Sequence, residues 1–467
     1  MNATPIASQW NSRNVLTRPF LEQDYFQALA KKAFAMLRPG EHLFLSLEAE
    51  CSQFIRVNAA KVRQIGTVED ATLELTLVSE DPVSKVRRSA EWSISLLGIA
   101  YEDQQRLSDA MRSLQNEIST LPVDPFAQLP VNHGSSETSN TGELPDFETA
   151  PRALLEPVQG LDIVGFYAAG PMVRGMANSA GLFHWFATES FTFDYSIYTP
   201  NQKAVKETFA GRRWDESAYR ASVEKARRKL ELLSKPVRQV PRGAYRTYLE
   251  PAALHDLIGM LSWGAVSEAS LQQGDSPLRK LRSGEHRLSP KFRLCEDFTQ
   301  VEVPRFNGLG ELAPQKLELL EGGELKSALI STRTAQEYKL QSNFAGDYEM
   351  LRAPVVDAGG LAEKDVLSRL GEGLYLSNLH YLNWSDQPGG RVTGMTRYAC
   401  FWVENGKLAA PIQDLRWDDT IFNLFGPALE DLTHERAYLA ETGTYDHRQL
   451  GGAWLPGALL SSMQFTL

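Results

Sequence analysis

Residues 373–423, GLYLSNLHYLNWSDQPGGRVTGMTRYACFWVENGKLAAPIQDLRWDDTIFN, leave the backbone few choices. Residues 374–384 are apolar and aromatic, and Asp386-Gln387-Pro388-Gly389-Gly390 cannot continue a regular element. Residues 398–403 and 408–417 flank Glu404-Asn405-Gly406-Lys407. Asn-Gly is the strongest short hairpin signal, because both residues tolerate positive φ. The tract predicts a strand, a glycine-rich loop and a hairpin, so this part of the chain belongs to an antiparallel sheet.

Length and charge narrow the rest. At 467 residues, 43% of them hydrophobic, the chain is long enough for two or three domains with sizeable cores. A net charge of −10 argues against a nucleic-acid partner, whose phosphates need a basic surface, and against anionic membranes. Cys51, Cys295 and Cys400 are widely spaced, which fits a reducing cytoplasm and implies neither a disulfide framework nor a cysteine-rich zinc site. The first 14 residues lack the basic-then-apolar order of a signal peptide, and no apolar run of about 18 residues exists to span a membrane. The expectation is a soluble cytoplasmic protein.

Residues 22–37 carry apolar side chains at helical spacing and stop at Pro39-Gly40. Residues 42–48, 52–57 and 71–78 read as strands, and 86–121 as a long helical region. Residues 1–125 thus form an N-terminal α+β domain. Residues 126–153, rich in Pro, Ser, Asn, Thr and Gly, read as a linker or mobile loop. Residues 154–241 form a central domain of strands followed by a helix over 215–234, N-capped by Asp215 and braced by Glu224 with Arg228. Residues 242–467 hold a short helix, 251–263, and then a β-rich C-terminal domain. The fold class is α+β, with the antiparallel sheet concentrated in the C-terminal domain.

Several tracts, taken in order, resemble the TldD/PmbA family. They are Ser52-Gln53-Phe54-Ile55-Arg56 with Lys61-Val62-Arg63-Gln64, Ala177-Asn178-Ser179-Ala180-Gly181, Ser289-Pro290 with Glu296-Asp297, Glu321-Gly322-Gly323-Glu324-Leu325, and the tract from Gly373 to Arg416. The resemblance implies a PmbA/TldD-like fold. In catalytic members it also implies a helix bearing H-E-x-x-x-H and a later cysteine, with two imidazoles and a thiolate on zinc and the glutamate as base. Aligned on Pro251, the histidine positions fall near Ile258 and Trp263, the glutamate near Gly259, and the cysteine near Thr442, Gly443 and Thr444. None of these can ligate zinc or move a proton.

The pattern is therefore most like the PmbA/TldE-type subunit. It implies no cofactor bound by this chain and no catalytic residue in it, with zinc in a TldD-like catalytic partner. The two would form a heterodimer or higher heteromer acting on a peptide, or this chain would self-associate when alone. His255-Asp256 is the one acid–imidazole neighbour pair on the helix. His380, Tyr381, Asn383, Thr396, Arg397 and Arg416 are candidate substrate-binding residues, able to line one groove if the strands pair as the hairpin suggests. The alternative for them is a structural role, with the arginines on Asp414 and Asp418.

Two other readings stay open. His434-Glu435 resembles the start of H-E-x-x-H on a helix but meets Tyr438 at i+4. With His380 and His447, His434 would be the material for a relocated metal site in a self-sufficient hydrolase. The third reading is a non-enzymatic peptide- or protein-binding modulator, since the resembled family has been linked with modulation of DNA gyrase and antitoxin turnover. Cys400 reads as a buried structural thiol, and Gly170-Pro171-Met172-Val173-Arg174-Gly175 lacks the spacing and lysine of a phosphate loop.

Overall fold

The computed structural model describes residues 18–466, so the reading of the first 14 residues lies outside it. Helix α1 (Gln23–Phe34) buries Phe26, Leu29, Ala30 and Ala33, the stripe that its 3.6-residue period provides. The three short strands expected over 42–78 are two long ones, β1 (Glu41–Asn58) and β2 (Lys61–Glu80). They form a hairpin turned at Ala59 and Ala60, both at positive φ (51° and 52°). The long helix expected over 86–121 is instead β3 (Arg87–Ser95) followed by α2 (Ala100–Glu117). The interleaved charges of residues 87–95 suit an edge strand as well as a helix. Pairing of Thr72 through Glu80 with Ser95 through Arg87 selects the strand.

Within 126–153 lie β4 (Ser136–Asn140) and α3 (Ala150–Leu155), and β4 adds to the sheet beside β6 (Phe183–Tyr198). With β5 (Asp162–Asn178) and β7 (Ala204–Gly211), these strands make one seven-stranded sheet in the order β3-β2-β1-β5-β6-β4, with β7 also on β6. Strands from 1–125 and from 154–241 thus share a single sheet. One end is covered by α1 and α2 through Phe26, Leu73, Leu107 and Met111. The other is covered by α4 (Glu216–Leu233), where Tyr219 meets Phe193 and Tyr195. The Asp215 carboxylate caps α4 by accepting from the Ala218 N–H at 2.9 Å, while Glu224 pairs with Arg227 rather than Arg228.

The C-terminal half forms a thirteen-stranded sheet in which β8 (Gly243–Leu249) lies between Gly452–Phe465 and Gly373–Leu376. The hairpin appears as read: Phe401–Glu404 pairs with Lys407–Pro411 across Asn405 (φ 51°) and Gly406 (φ 70°). Residues 429–440, read as a helix around His434, are a strand pairing with Gly452–Phe465. Helix α5 (Pro251–Ser262) packs on this sheet through Leu254, Leu257, Ile258 and Leu261. Among the described residues, no helix is long and apolar enough to cross a membrane.

The two halves are tied together by the loop between the last two strands. Pro171 has no N–H to give the β1–β5 ladder, and pairing lapses between Glu50↔Met172 and Gln53↔Ala169. Gly170 (φ +143°) comes so close to β1 that a Cβ would sit 2.1 Å from the Cys51 carbonyl. Arg448, 3% exposed, fills the gap. Its guanidinium donates to the Gly170 carbonyl (3.2 Å), Ser52 Oγ (3.3 Å) and the Ser190 carbonyl (3.1 Å), and the Arg448 main-chain N–H donates to Glu50 Oε1 (2.9 Å). Burial lowers the Arg448 pKa to about 10, so it stays charged at neutral pH. Beside it, His447 Nε2 contacts Glu48 Oε2 at 2.5 Å, and Arg174 Nε lies 3.5 Å from the same carboxyl group.

Replacing Arg448 by alanine keeps the main-chain bond to Glu50 but leaves the Gly170 and Ser190 carbonyls and the Ser52 hydroxyl without their donor, so Arg448→Ala is expected to lose about 1–3 kcal/mol in chemical denaturation. A loss within the range of an ordinary surface substitution would show that the seat is not a stability determinant. The His447–Glu48 pair adds a pH signature. Hydrogen bonding and charge from Glu48 raise the His447 pKa, while His447 and Arg174 hold Glu48 low despite its burial. The lowered carboxylate contributes stability above its unfolded pKa, and the raised imidazole contributes below its own. The melting-temperature deficit of His447→Gln should therefore be largest near about pH 5–6 and shrink above about pH 8. A deficit that does not vary with pH rejects the pair as the cause.

Candidate functional site

Helix α5 is built to serve a core and a cleft at once. Pro251 at its first position supplies a preset φ where no N–H is needed. While Leu254, Leu257 and Ile258 face the sheet, His255 and Gly259, one turn apart, line a cleft of about 840 Å³. The far wall is the N-terminal sheet, through Ser46, Glu48 and Arg174, and loops around Phe306 and Met350 close the ends. Of the three positions singled out by the resemblance, Ile258 is 1% exposed in the core, Gly259 is exposed to the cleft, and Trp263 is 54% exposed at the helix end.

The segment that follows the strand Leu429–Ala440 does reach α5. Glu441 and His255 line both this cleft and a second cavity of about 570 Å³, and Glu441 also borders a third of about 500 Å³. Among the described residues the Glu441 carboxylate accepts only from the Thr442 and Gly443 N–H groups of its own loop, both at 3.0 Å. Burial pushes the His255 imidazole below its usual pKa, partly offset by the charge of Glu441. His255 therefore favours the neutral form, able to donate from one ring nitrogen and accept at the other.

The second cavity is polar at its base. Lys229 Nζ lies 2.8 Å from Glu250 and 3.5 Å from Glu207, and the Tyr375 hydroxyl donates to Glu250. The two carboxylates raise the Lys229 pKa in spite of complete burial, and Lys229 in turn holds Glu250 down. Asp256, next to His255, accepts from the Leu379 N–H at 3.0 Å, and burial pushes its pKa up to about 6.

The six candidate residues of the 378–417 region lie elsewhere. Asn378–Asp386 pairs with Arg391–Arg397, which pairs with Arg416–Thr420. His380 is opposite Met395, Met395 opposite Arg416, Asn378 opposite Arg397 and Asn383 opposite Thr393, so His380, Asn383, Arg397 and Arg416 share one face. Thr396 points the other way, 2% exposed, and accepts from the Leu415 N–H at 2.9 Å. Tyr381 (φ 52°, 77% exposed) sits on an irregularity in the strand between His380 and Asn383, with its ring 4.0 Å from that of His380. Asp418 takes Arg391 and Asp414 takes Lys203, so neither carboxylate pairs with Arg397 or Arg416. His434 is exposed on its strand and His447 is engaged by Glu48. Among the described residues no three His, Cys, Asp or Glu side chains converge as a metal-binding group. Cys400 is free and buried, its thiol pushed up to about 11.

Glu48, Arg174, Glu441 and Arg448 were not singled out for a site in the sequence. They come together only because a loop of the C-terminal half docks on the N-terminal sheet. The one local signal was Pro171 within an otherwise apolar strand.

Asp256 gives a test of the environment beneath the cleft. Its folded pKa is raised, so the charged form costs stability as pH rises through about 6. Asp256→Asn keeps an acceptor for Leu379 and should melt higher than the parent at pH 7.5, the difference closing towards about pH 4. A lower melting temperature at pH 7.5 would reject desolvation as the dominant influence.

Comparison with known proteins agrees with this architecture. Residues 242–466 match the family described as PmbA/TldA metallopeptidase C-terminal domain. No curated protein matches the chain. Among solved structures, TldE from Thermococcus kodakarensis superposes with a TM-score of 0.71 at 14% identity, covering 95% of this chain and 100% of that one. A Bacteroides thetaiotaomicron protein, provisionally described as a modulator of DNA gyrase, gives 0.72 at 15% identity over 95% and 98%. A Thermotoga maritima protein, provisionally described in the same way, gives 0.69 at 14% identity over 94% and 100%. These structural likenesses establish the fold, and the match over residues 242–466 identifies that part of the chain as a PmbA/TldA metallopeptidase C-terminal domain.

Proposed function

We propose that this chain is a TldE-like, non-catalytic subunit of a TldD/TldE-type zinc metallopeptidase complex in the cytoplasm, holding a peptide while a TldD-like partner carries the zinc. The observation that carries this reading is the cleft face of α5. On the family scaffold it presents one imidazole, His255, with Glu441 across from it. Ile258, Gly259 and Trp263 stand where the resemblance places two histidines and a glutamate. A catalytic zinc takes three protein ligands and leaves a position for water; His255 and Glu441 together offer two. The residues present do not fit a zinc centre, and no step is assigned to one in this chain.

The reading of a self-sufficient hydrolase has less behind it, because His447 is engaged by Glu48, His380 packs on Tyr381 and His434 is exposed on a separate strand. Co-expression with a TldD-like chain bearing an intact H-E-x-x-x-H is the test. The expected outcome is one heteromeric peak on size exclusion, with zinc and peptidase activity in that peak and neither in this chain alone. Failure to co-elute, or stoichiometric zinc with peptide cleavage in this chain by itself, overturns the proposal.

A further inference from the structure

Gly259 sits in the interior of α5, where glycine is less favourable than alanine. Packing does not require it: a Cβ there would meet nothing within 4 Å. Gly346, on the loop across the cleft, is equally free of neighbours. A glycine kept inside a helix without a steric reason holds space open rather than fitting a neighbour. The space is bordered by Phe306 and Leu351, and at its mouth Tyr348 is 89% and Met350 48% exposed. One helical turn away, about 6 Å along the axis, His255 has no hydrogen-bond partner among the described residues, and Glu441 binds only its own loop amides.

We infer that this track binds an extended peptide, with an apolar side chain seated over Gly259 and a main-chain amide on His255 and Glu441. The inference deepens, and rests on, the reading of the chain as a peptide-holding subunit. The spacing suits such a ligand, because about 6 Å is roughly two residues of extended chain. A side chain in the apolar part therefore brings an amide of the same peptide to the polar part. The Glu441 carboxylate accepts the peptide N–H, and the neutral His255 ring donates to the neighbouring carbonyl. The apolar seat selects a side chain of the leucine or phenylalanine class over a charged one, because the cations lining the cleft, Arg174 and Arg352, are already engaged by Glu48 and by the Arg305, Phe306 and Phe344 carbonyls.

The test uses the whole chain and a fluorescein-labelled glycine–serine heptapeptide with one central leucine, compared with the same peptide carrying a central aspartate. Anisotropy should show the leucine peptide binding at least about tenfold more tightly. Gly259→Leu, which fills the seat from α5, and Gly346→Leu, which fills it from the opposite wall, should each weaken leucine-peptide binding by about tenfold or more. Gly259→Ala should melt at or above the parent temperature, which separates a filled seat from a damaged helix. Equal binding of the two peptides, no binding by the parent chain, or unchanged binding in both leucine variants overturns the inference. Co-elution of the parent and of Gly259→Leu with the TldD-like chain is measured separately. If both co-elute while binding is unaltered, only the track is rejected; if neither co-elutes, the subunit reading fails and the anisotropy still decides the track.

Discussion

The seat of Arg448 is the constraint on which the rest of the molecule turns. A proline inside a central strand removes a ladder donor, and Gly170 brings two strands too close for any side chain between them. The carbonyls left free at that point need a donor, since buried polar groups without partners are costly. The guanidinium supplies several donors at once, the charge of nearby Glu50 favours its protonated form, and the Arg448 main-chain N–H binds the Glu50 carboxylate. The donor belongs to the C-terminal half and the acceptors to the N-terminal sheet, so satisfying them fixes how the two bodies meet. Phe401 and Ala399, from the C-terminal half, complete the same union by packing into the aromatic core around Tyr167 and Phe193.

That union places the cleft. Glu441 lies seven residues before Arg448 on the same loop, so docking of the loop also sets the acid opposite His255. Without the docked loop the three cavities around Glu441 would lose a shared wall. The low pKa of His255 and the high pKa of Asp256 have one cause, the exclusion of water from the cleft side of α5. A partly desolvated helix face whose imidazole is neutral suits binding through main-chain amides and apolar contact.

How much of this could be read from the chain depended on range. The Asn405-Gly406 turn, α1 and the Asp215 cap are local, and residues a few positions apart specify them. Residues 87–95 and 429–440 mix charge and apolar groups in a way that fits a period of 3.6 or of 2, and only pairing with a distant strand decides between them. The candidate groove of residues 380–416 was legible as a sheet, and four of its six residues share a face. The inward turn of Thr396 depended on the strand register. The site around Arg448 joins residues 278 positions apart in sequence, as in its bond to Gly170, and Pro171 was its single trace in the linear text.

Helix α5 keeps its place whatever its cleft face carries. What seats α5 is apolar: Ala253, Leu254, Leu257 and Leu261 on the sheet, with Lys229, Glu250 and Tyr375 fixing its first turn. A histidine at position 258 would have to be satisfied by a metal or a hydrogen bond inside the core; Ile258 at 1% exposure adds to the core directly. Position 259 has no packing to satisfy, so a glycine there costs the helix a little and leaves the cleft open. Stability and binding thus draw largely on different residues of one helix. The scaffold can therefore persist with a different chemistry on its exposed side.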